Sequence, residues 1–168
     1  LGEEEAEKAF PGNALIIRPG LIVGPNDISD RFGYWPRRVA QGGEILAPGT
    51  PETPFQFIDV RDLAEWTIRL LENGATGAYN ADGPQIPIKA LLDACGAEQV
   101  TYVSEAFLEE KGVTAWVELP VWIPGLADKP AGGATDCSKA IAAGLARRGR
   151  RRGQGAAQGG LGAVIASP

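Results

Sequence analysis

Residues 14–27 read Ala14-Leu15-Ile16-Ile17-Arg18-Pro19-Gly20-Leu21-Ile22-Val23-Gly24-Pro25-Asn26-Asp27. Leu15, Ile16 and Ile17 form an unbroken apolar run rich in β-branched side chains, the pattern of a strand covered on both faces. The run predicts a central strand of a parallel sheet. Pro19 fixes its own φ and removes a ladder donor, and Gly20 admits a backbone geometry that a side chain forbids, so the chain leaves the sheet there. In open α/β sheets ligands bind beyond the carboxyl ends of the strands, which makes Pro19, Gly20, Leu21 and Ile22 candidates to line a ligand. Plain Pro-Gly punctuation between two strands is the other reading of the same residues.

The flanking residues extend this strand into an α/β alternation. Glu3 to Phe10 is a run of helix formers with acids in front, closed by Pro11-Gly12. Tyr34 to Gln41 reads as a short helix, with Pro36 suited to its first position and Gly42-Gly43 to its end. Tyr34, Trp35 and Arg38 then fall near the mouth of the sheet. Aromatic rings beside an Arg suit a planar or anionic substrate, and equally a packed Trp with a solvated Arg. Glu44 to Leu46 is a brief strand, and residues 47–54 are a loop rich in Pro, Gly and Thr.

Phe55 and Phe57 alternate about Gln56 as on a half-buried strand. Asp59 stands three residues before Asp62, ahead of an apolar face made by Leu63, Trp66, Leu70 and Leu71. Two carboxylates at that spacing suit acid–base work, but capping by Asp59 with Asp62 in the first turn is the preferred reading. Trp66 is expected in the core. Ala78 to Ala81 is a strand, Pro87 to Cys95 a helix, Val100 to Val103 a strand, and Ser104 caps a helix over Glu105 to Lys111. These later elements compose a small α/β lobe. Ala115 to Pro124 is broken by Pro yet too apolar for solvent, so Trp116 and Trp122 are pocket walls or part of a satellite cluster.

Composition narrows the chemistry. The 168 residues hold no His, which removes Ser-His-Asp and Cys-His nucleophilic schemes and the usual zinc sets, and two Cys cannot complete a structural zinc site. No metal site is expected. Cys95 and Cys137 read as buried thiols of a reducing compartment, and cytoplasm is the expected location. No apolar run approaches the roughly 20 residues that span a bilayer. The chain has no Met, so residues upstream of Leu1 are expected.

The net charge of −5 is divided unevenly: residues 1–145 carry all 21 acids and 11 of the 16 bases, whereas residues 146–168 carry five Arg and no acid. That tail is Arg/Gly/Ala/Gln low complexity without apolar periodicity, expected to be disordered because it cannot bury enough to order itself. A GC-rich coding sequence read in another frame also gives this composition. The five Arg could bind phosphate or RNA, which frames an alternative function, a non-enzymatic interaction module. The acidic body, and the lack of aromatics among the tail Arg residues, argue against a nucleic-acid partner.

Two elements together carry a family resemblance. Arg18-Pro19-Gly20-Leu21-Ile22-Val23-Gly24-Pro25 resembles the Arg-Pro-x-x-Val-Tyr-Gly-Pro element of the extended short-chain dehydrogenase/reductases, the NAD-dependent epimerase/dehydratase family. Phe57-Ile58-Asp59-Val60-Arg61-Asp62-Leu63-Ala64 is similar to that family's Phe-Val-His-Val-x-Asp-Val-Ala segment. The likeness runs from about Leu1 to Leu145 and concerns the carboxyl-terminal half of the family. It implies an incomplete Rossmann-like parallel sheet over residues 1–85 and a small α/β substrate-binding lobe over 86–145, followed by the tail.

The resemblance also implies an NAD or NADP cofactor and a small-molecule substrate with a hydroxyl or carbonyl group. On it, Pro19, Gly20, Leu21 and Ile22 border the nicotinamide, and Tyr34, Trp35, Arg38, Gln56 and Trp116 are substrate-side candidates. Neither the family's Gly-x-x-Gly-x-x-Gly loop nor its Tyr-x-x-x-Lys occurs in this sequence, so no catalytic residue is assigned and the chain by itself is expected to be inactive. Phe55-Gln56 stands where many nucleotide-sugar members carry Arg-Asp, which leaves a less polar carbonyl or hydroxyl compound as plausible a substrate.

Overall fold

A computed structural model describes residues 2–126 and 128–146. In chain order its elements are α1 (Gly2–Ala9), β1 (Leu15–Pro19), β2 (Ile22–Val23), α2 (Tyr34–Ala40), β3 (Ile45–Pro48), β4 (Pro54–Phe55), β5 (Ile58–Asp59) and α3 (Val60–Glu72). Then follow β6 (Gly77–Ala81), β7 (Ile86–Pro87), α4 (Ile88–Cys95), β8 (Val100–Val103), α5 (Glu105–Glu110), a 3-10 turn (Pro130–Gly133) and α6 (Ser138–Ala142). The helical and strand alternation is that of an α/β protein. The Arg/Gly-rich tail lies outside the described residues, apart from Ala146.

The strands form four two-stranded pieces: β1 with β6, β2 with β5 and β3 with β8, all parallel, and β4 with β7, antiparallel. In the first, Leu15 to Pro19 run beside Gly77 to Ala81 in register. The expected central strand is corrected in part. Leu15, Ile16 and Ile17 are half-buried, Arg18 and Pro19 are exposed, and among the described residues β6 is the one strand partner of β1. Leu15 and Ile17 pack on α3 and α6 residues, whereas α1 buries none of its side chains.

Helix boundaries follow their chemistry. Asp59 caps α3, its carboxylate accepting from the Arg61 N–H at 2.8 Å, and Ser104 caps α5, accepting from the Phe107 N–H at 3.2 Å. Pro36 sits at the third helical position rather than the first. A Pro is tolerated there because the first four N–H groups of a helix have no intrahelical partner. Phe55 and Phe57 are not on one strand: β4 ends at Phe55 and β5 begins at Ile58, with different partners, although the two rings still stack with centroids 5.9 Å apart.

Two hydrophobic cores result. One gathers Val23, Trp35, Ile45, Phe55, Ile88, Leu91, Leu108 and Trp122; the other gathers Ile58, Trp66, Leu70, Tyr79, Ala140 and Leu145. They interleave along the chain, because β2 to β4 pack with the lobe and α6 returns to the first sheet. Trp66 is fully buried, meets Tyr79 edge-on at 5.7 Å and donates its indole N–H to the Ala143 carbonyl at 3.1 Å.

Candidate functional site

The exit of β1 is pinned on both sides. Gly20 N–H donates to the Ala81 carbonyl at 3.1 Å, and the Leu21 carbonyl accepts from Ile58 N–H at 2.8 Å. Because β1 and β6 are parallel, Pro19 to Ile22 leave from the same carboxyl edge as Asp82 and Gly83. Pro19 and Ile22 are exposed, while Gly20 and Leu21 are half-buried. The turn therefore presents backbone and small apolar surface at the sheet edge.

Beneath it lies a carboxylate. Asp82 is 3% exposed, and its Oδ1 accepts from Gly83 N–H at 2.8 Å. A Cβ on Gly20 would stand 1.8 Å from Asp82 Oδ2, and one on Gly83 would stand 1.9 Å from the Phe57 carbonyl oxygen. Both glycines are thus required by close approach rather than by φ. Gly20, Asp82, Gly83 and Phe57 form one stack that joins the β1 exit to the segment between β4 and β5. In the sequence Asp82-Gly83 is an ordinary turn dipeptide. No local signal shows that their neighbours lie some sixty residues upstream, at Gly20, and in Phe57.

The substrate-side candidates divide by what they touch. Trp35 is fully buried and donates its indole N–H to the Pro120 carbonyl at 3.1 Å, which makes it a core wall, not a contact surface. Arg38 donates to the carbonyls of Gly42 at 2.9 Å and Glu44 at 2.5 Å, tying the end of α2 to the start of β3. Gln56 donates through Nε2 to the Gly83 carbonyl at 3.0 Å and accepts from Thr135 N–H at 2.7 Å, so its amide clamps the 130s loop onto the Asp82-Gly83 turn.

Tyr34 and Trp116 remain partly accessible. The Tyr34 ring meets Trp35 edge-on at 5.1 Å, and the Arg31 guanidinium lies 5.6 Å from the Trp116 ring centre. Trp116 holds a left-handed backbone at φ 66°, which costs a bulky residue about 1–3 kcal/mol and implies that its surroundings fix it.

Asp59 is buried and paired with Arg61 through Nε at 2.9 Å and Nη2 at 2.6 Å. The hydrogen bonds that Arg61 donates to Asp59 raise the Arg61 pKa above its ordinary value. With one carboxylate capping α3 and Asp62 in its first turn, the pair is structural. Among the described residues no group of three or more His, Cys, Asp or Glu side chains converges to hold a metal ion, and no helix is long and apolar enough to cross a membrane.

No protein-family profile and no curated protein sequence matches the chain. Solved structures do. UDP-glucose 4-epimerase from Thermus thermophilus, in complex with NAD, is 18% identical with a TM-score of 0.58 over 98% of this chain and 49% of its own. dTDP-glucose 4,6-dehydratase from Bacillus anthracis str. Ames, also with NAD, is 12% identical with a TM-score of 0.53 over 97% of this chain and 48% of its own. dTDP-4-dehydrorhamnose reductase from Yersinia enterocolitica is 21% identical with a TM-score of 0.52 over 63% of this chain and 39% of its own. The chain spans at most about half the length of these proteins, and what it shares with them is an α/β fold.

Proposed function

We propose that this chain is the substrate-binding half of an NAD(P)-dependent oxidoreductase or epimerase of the extended short-chain dehydrogenase/reductase family, acting on a hydroxyl or carbonyl group of a small molecule. The observation that carries the reading is the Arg18 to Pro25 element leaving the carboxyl edge of a parallel strand pair with its turn hydrogen-bonded to both Ala81 and Ile58. The fold shared with the epimerase and the dehydratase supports it.

The residues present fit one end of the cofactor. Pro19, Gly20, Leu21 and Ile22 would border the nicotinamide, since they leave the carboxyl edge of the parallel strand pair, where ligands of open α/β sheets bind; a Gly-rich phosphate loop is absent from the sequence. When bound, the nicotinamide exchanges hydride with the substrate carbon. The chain's own residues orient and shield. The turn presents apolar surface to the ring, and the buried Asp82 holds the turn from beneath. Tyr34 and Trp116 with Arg31 offer the substrate-side surface, while Trp35, Arg38 and Gln56 act through the scaffold they fasten.

The reading is tested by titrating the chain with nicotinamide mononucleotide while following its amide resonances. Weak binding in the millimolar range is expected, with shifts confined to residues 19–22 and 82–83. Shifts elsewhere, or none at Gly20 to Ile22 at saturating ligand, would overturn the assignment. Cofactor-dependent turnover by the purified chain would contradict its expected inactivity.

A further inference from the structure

The β1 exit is built over an ionisable group. The parallel register pairs Arg18 with Asn80 and Pro19 with Ala81, and its next step sets Gly20 beside Asp82. A Cβ on Gly20 would stand 1.8 Å from Asp82 Oδ2. A Cα–Cβ bond adds about 1.5 Å, so the Gly20 Cα itself lies within roughly 3.3 Å of that oxygen. We propose that Asp82 makes this site prefer the oxidised, cationic form of a nicotinamide to its reduced, neutral form. The proposal rests on the reading that Pro19 to Ile22 border the ring, and adds to it the redox state they favour.

The surroundings hold this charge in place. Asp82 is 3% exposed and its Oδ1 accepts from Gly83 N–H at 2.8 Å, which fixes the direction of the carboxylate. Oδ2, the other oxygen, is the one set closest to Gly20. The cation of the same strand, Arg18, is engaged elsewhere: its Nε donates to Glu3 Oε1 on α1 at 2.7 Å. Any group that touches Gly20, at an ordinary contact of about 3.5–4.0 Å, is therefore within roughly 7 Å of the carboxylate.

A nicotinamide ring carries a unit positive charge when oxidised and none when reduced, while the ribose and phosphate of a mononucleotide are the same in both forms. Charge placed near the ring is one of the means by which a protein tunes a redox cofactor. Opposite charges about 7 Å apart attract by an amount worth roughly threefold in affinity at the dielectric of water, and about fiftyfold at an effective value of about 20. The neutral ring gains nothing from the same carboxylate. Exposed acids elsewhere add a background that salt screens beyond about 8–10 Å, whereas a buried carboxylate is screened much less. The ratio of the two affinities therefore reports the charge beneath the turn.

The test titrates the full chain with oxidised and with reduced nicotinamide mononucleotide, reading both affinities from the amide resonances of residues 19–22. The natural sequence is compared with Asp82→Asn, Asp82→Ser and Asp93→Asn. Asn and Ser each keep an oxygen for the Gly83 N–H and remove the charge, Ser with a smaller side chain should Asn not be accommodated. Asp93, an exposed carboxylate of α4 paired with Lys89, is the control for net charge. The natural chain and Asp93→Asn are expected to bind the oxidised form about threefold or more tighter than the reduced form. In the Asp82 variants the affinity for the oxidised form should fall by that factor while the affinity for the reduced form stays. Equal affinity for the two forms in the natural chain overturns the proposal without any variant. A preference that survives the loss of Asp82, or one that Asp93→Asn abolishes equally, overturns it too, as does a loss of both forms alike, the mark of a purely structural carboxylate. Those results leave the ring at residues 19–22, whereas no shift there with either form removes that reading and the proposal together.

Discussion

Replacing Gly20 by Ala tests the stack under the β1 exit directly. The new Cβ would stand 1.8 Å from Asp82 Oδ2 and 2.3 Å from its Cγ, and the carboxylate cannot swing freely because it is buried and holds Gly83 N–H at 2.8 Å. Overpacking of this kind costs about 1–3 kcal/mol. Gly83→Ala meets a harder obstacle, the Phe57 carbonyl oxygen at 1.9 Å, which is main chain, and should cost about 3 kcal/mol, at or above the top of that range. The two differ in what can relieve them. Asp82→Ala removes the group that Gly20→Ala strikes, so the double variant should recover about 0.5–3 kcal/mol of the summed losses, whereas Asp82→Ala should not rescue Gly83→Ala. Urea unfolding followed by the fluorescence of the buried tryptophans gives the stabilities of the natural chain, the three single variants and the two double variants. A Gly20→Ala variant as stable as the natural chain, or losses that simply add with Asp82→Ala, would refute the stack.

Other outcomes follow from the same structure. Trp66→Ala should destabilise by about 3–5 kcal/mol. Trp66→Phe retains much of the apolar contact but strands the Ala143 carbonyl, at a cost of about 1–3 kcal/mol, and calorimetry should separate the two. Asp59→Ala removes the cap of α3 and the ion pair between Asp59 and Arg61, with an expected loss of about 1–2 kcal/mol in urea melts that Asp59→Asn partly restores. Burial pushes the Cys95 thiol up from 9.0 to about 11. Its reaction with a disulfide reagent should therefore remain slow at neutral pH and accelerate towards pH 11. The sign for stability follows: between pH 9 and 11 the unfolded chain has lost this proton and the folded chain keeps it, so folding weakens as pH rises, and Cys95→Ala should flatten that part of the profile.

What the sequence disclosed and what it hid divide by the range of the interactions. Asp59 and Ser104 bond to N–H groups two and three residues away, and such caps are legible in a short window. The apolar face with Trp66 and Leu70 in the core repeats at helical spacing and was equally plain. Trp35 and Trp116 looked alike as aromatic residues near a cleft. Only the fold sets the first against Pro120 in a core and leaves the second beside Arg31. The clamp from Gln56 to Thr135 joins residues 79 positions apart, and no periodicity reports it. The half-covered β1 has the same origin: a continuous apolar run says that neighbours are wanted, without naming them.

The return of α6 to the first sheet has a consequence for how the polypeptide matures. Lys139 donates to the Ala78 carbonyl and the Trp66 indole to that of Ala143, bonds that span 61 and 77 positions. During vectorial synthesis, at roughly 5–20 residues per second, the α3 and β6 surfaces would emerge first and wait several seconds for their cover. Trp66 would spend that interval without its acceptor, in a nascent chain whose lobe can already be collapsing. Non-local closure of this kind slows folding. α6, the last helix among the described residues, thus acts as a latch on this surface, and a stall before it emerges would leave Trp66 without its cover.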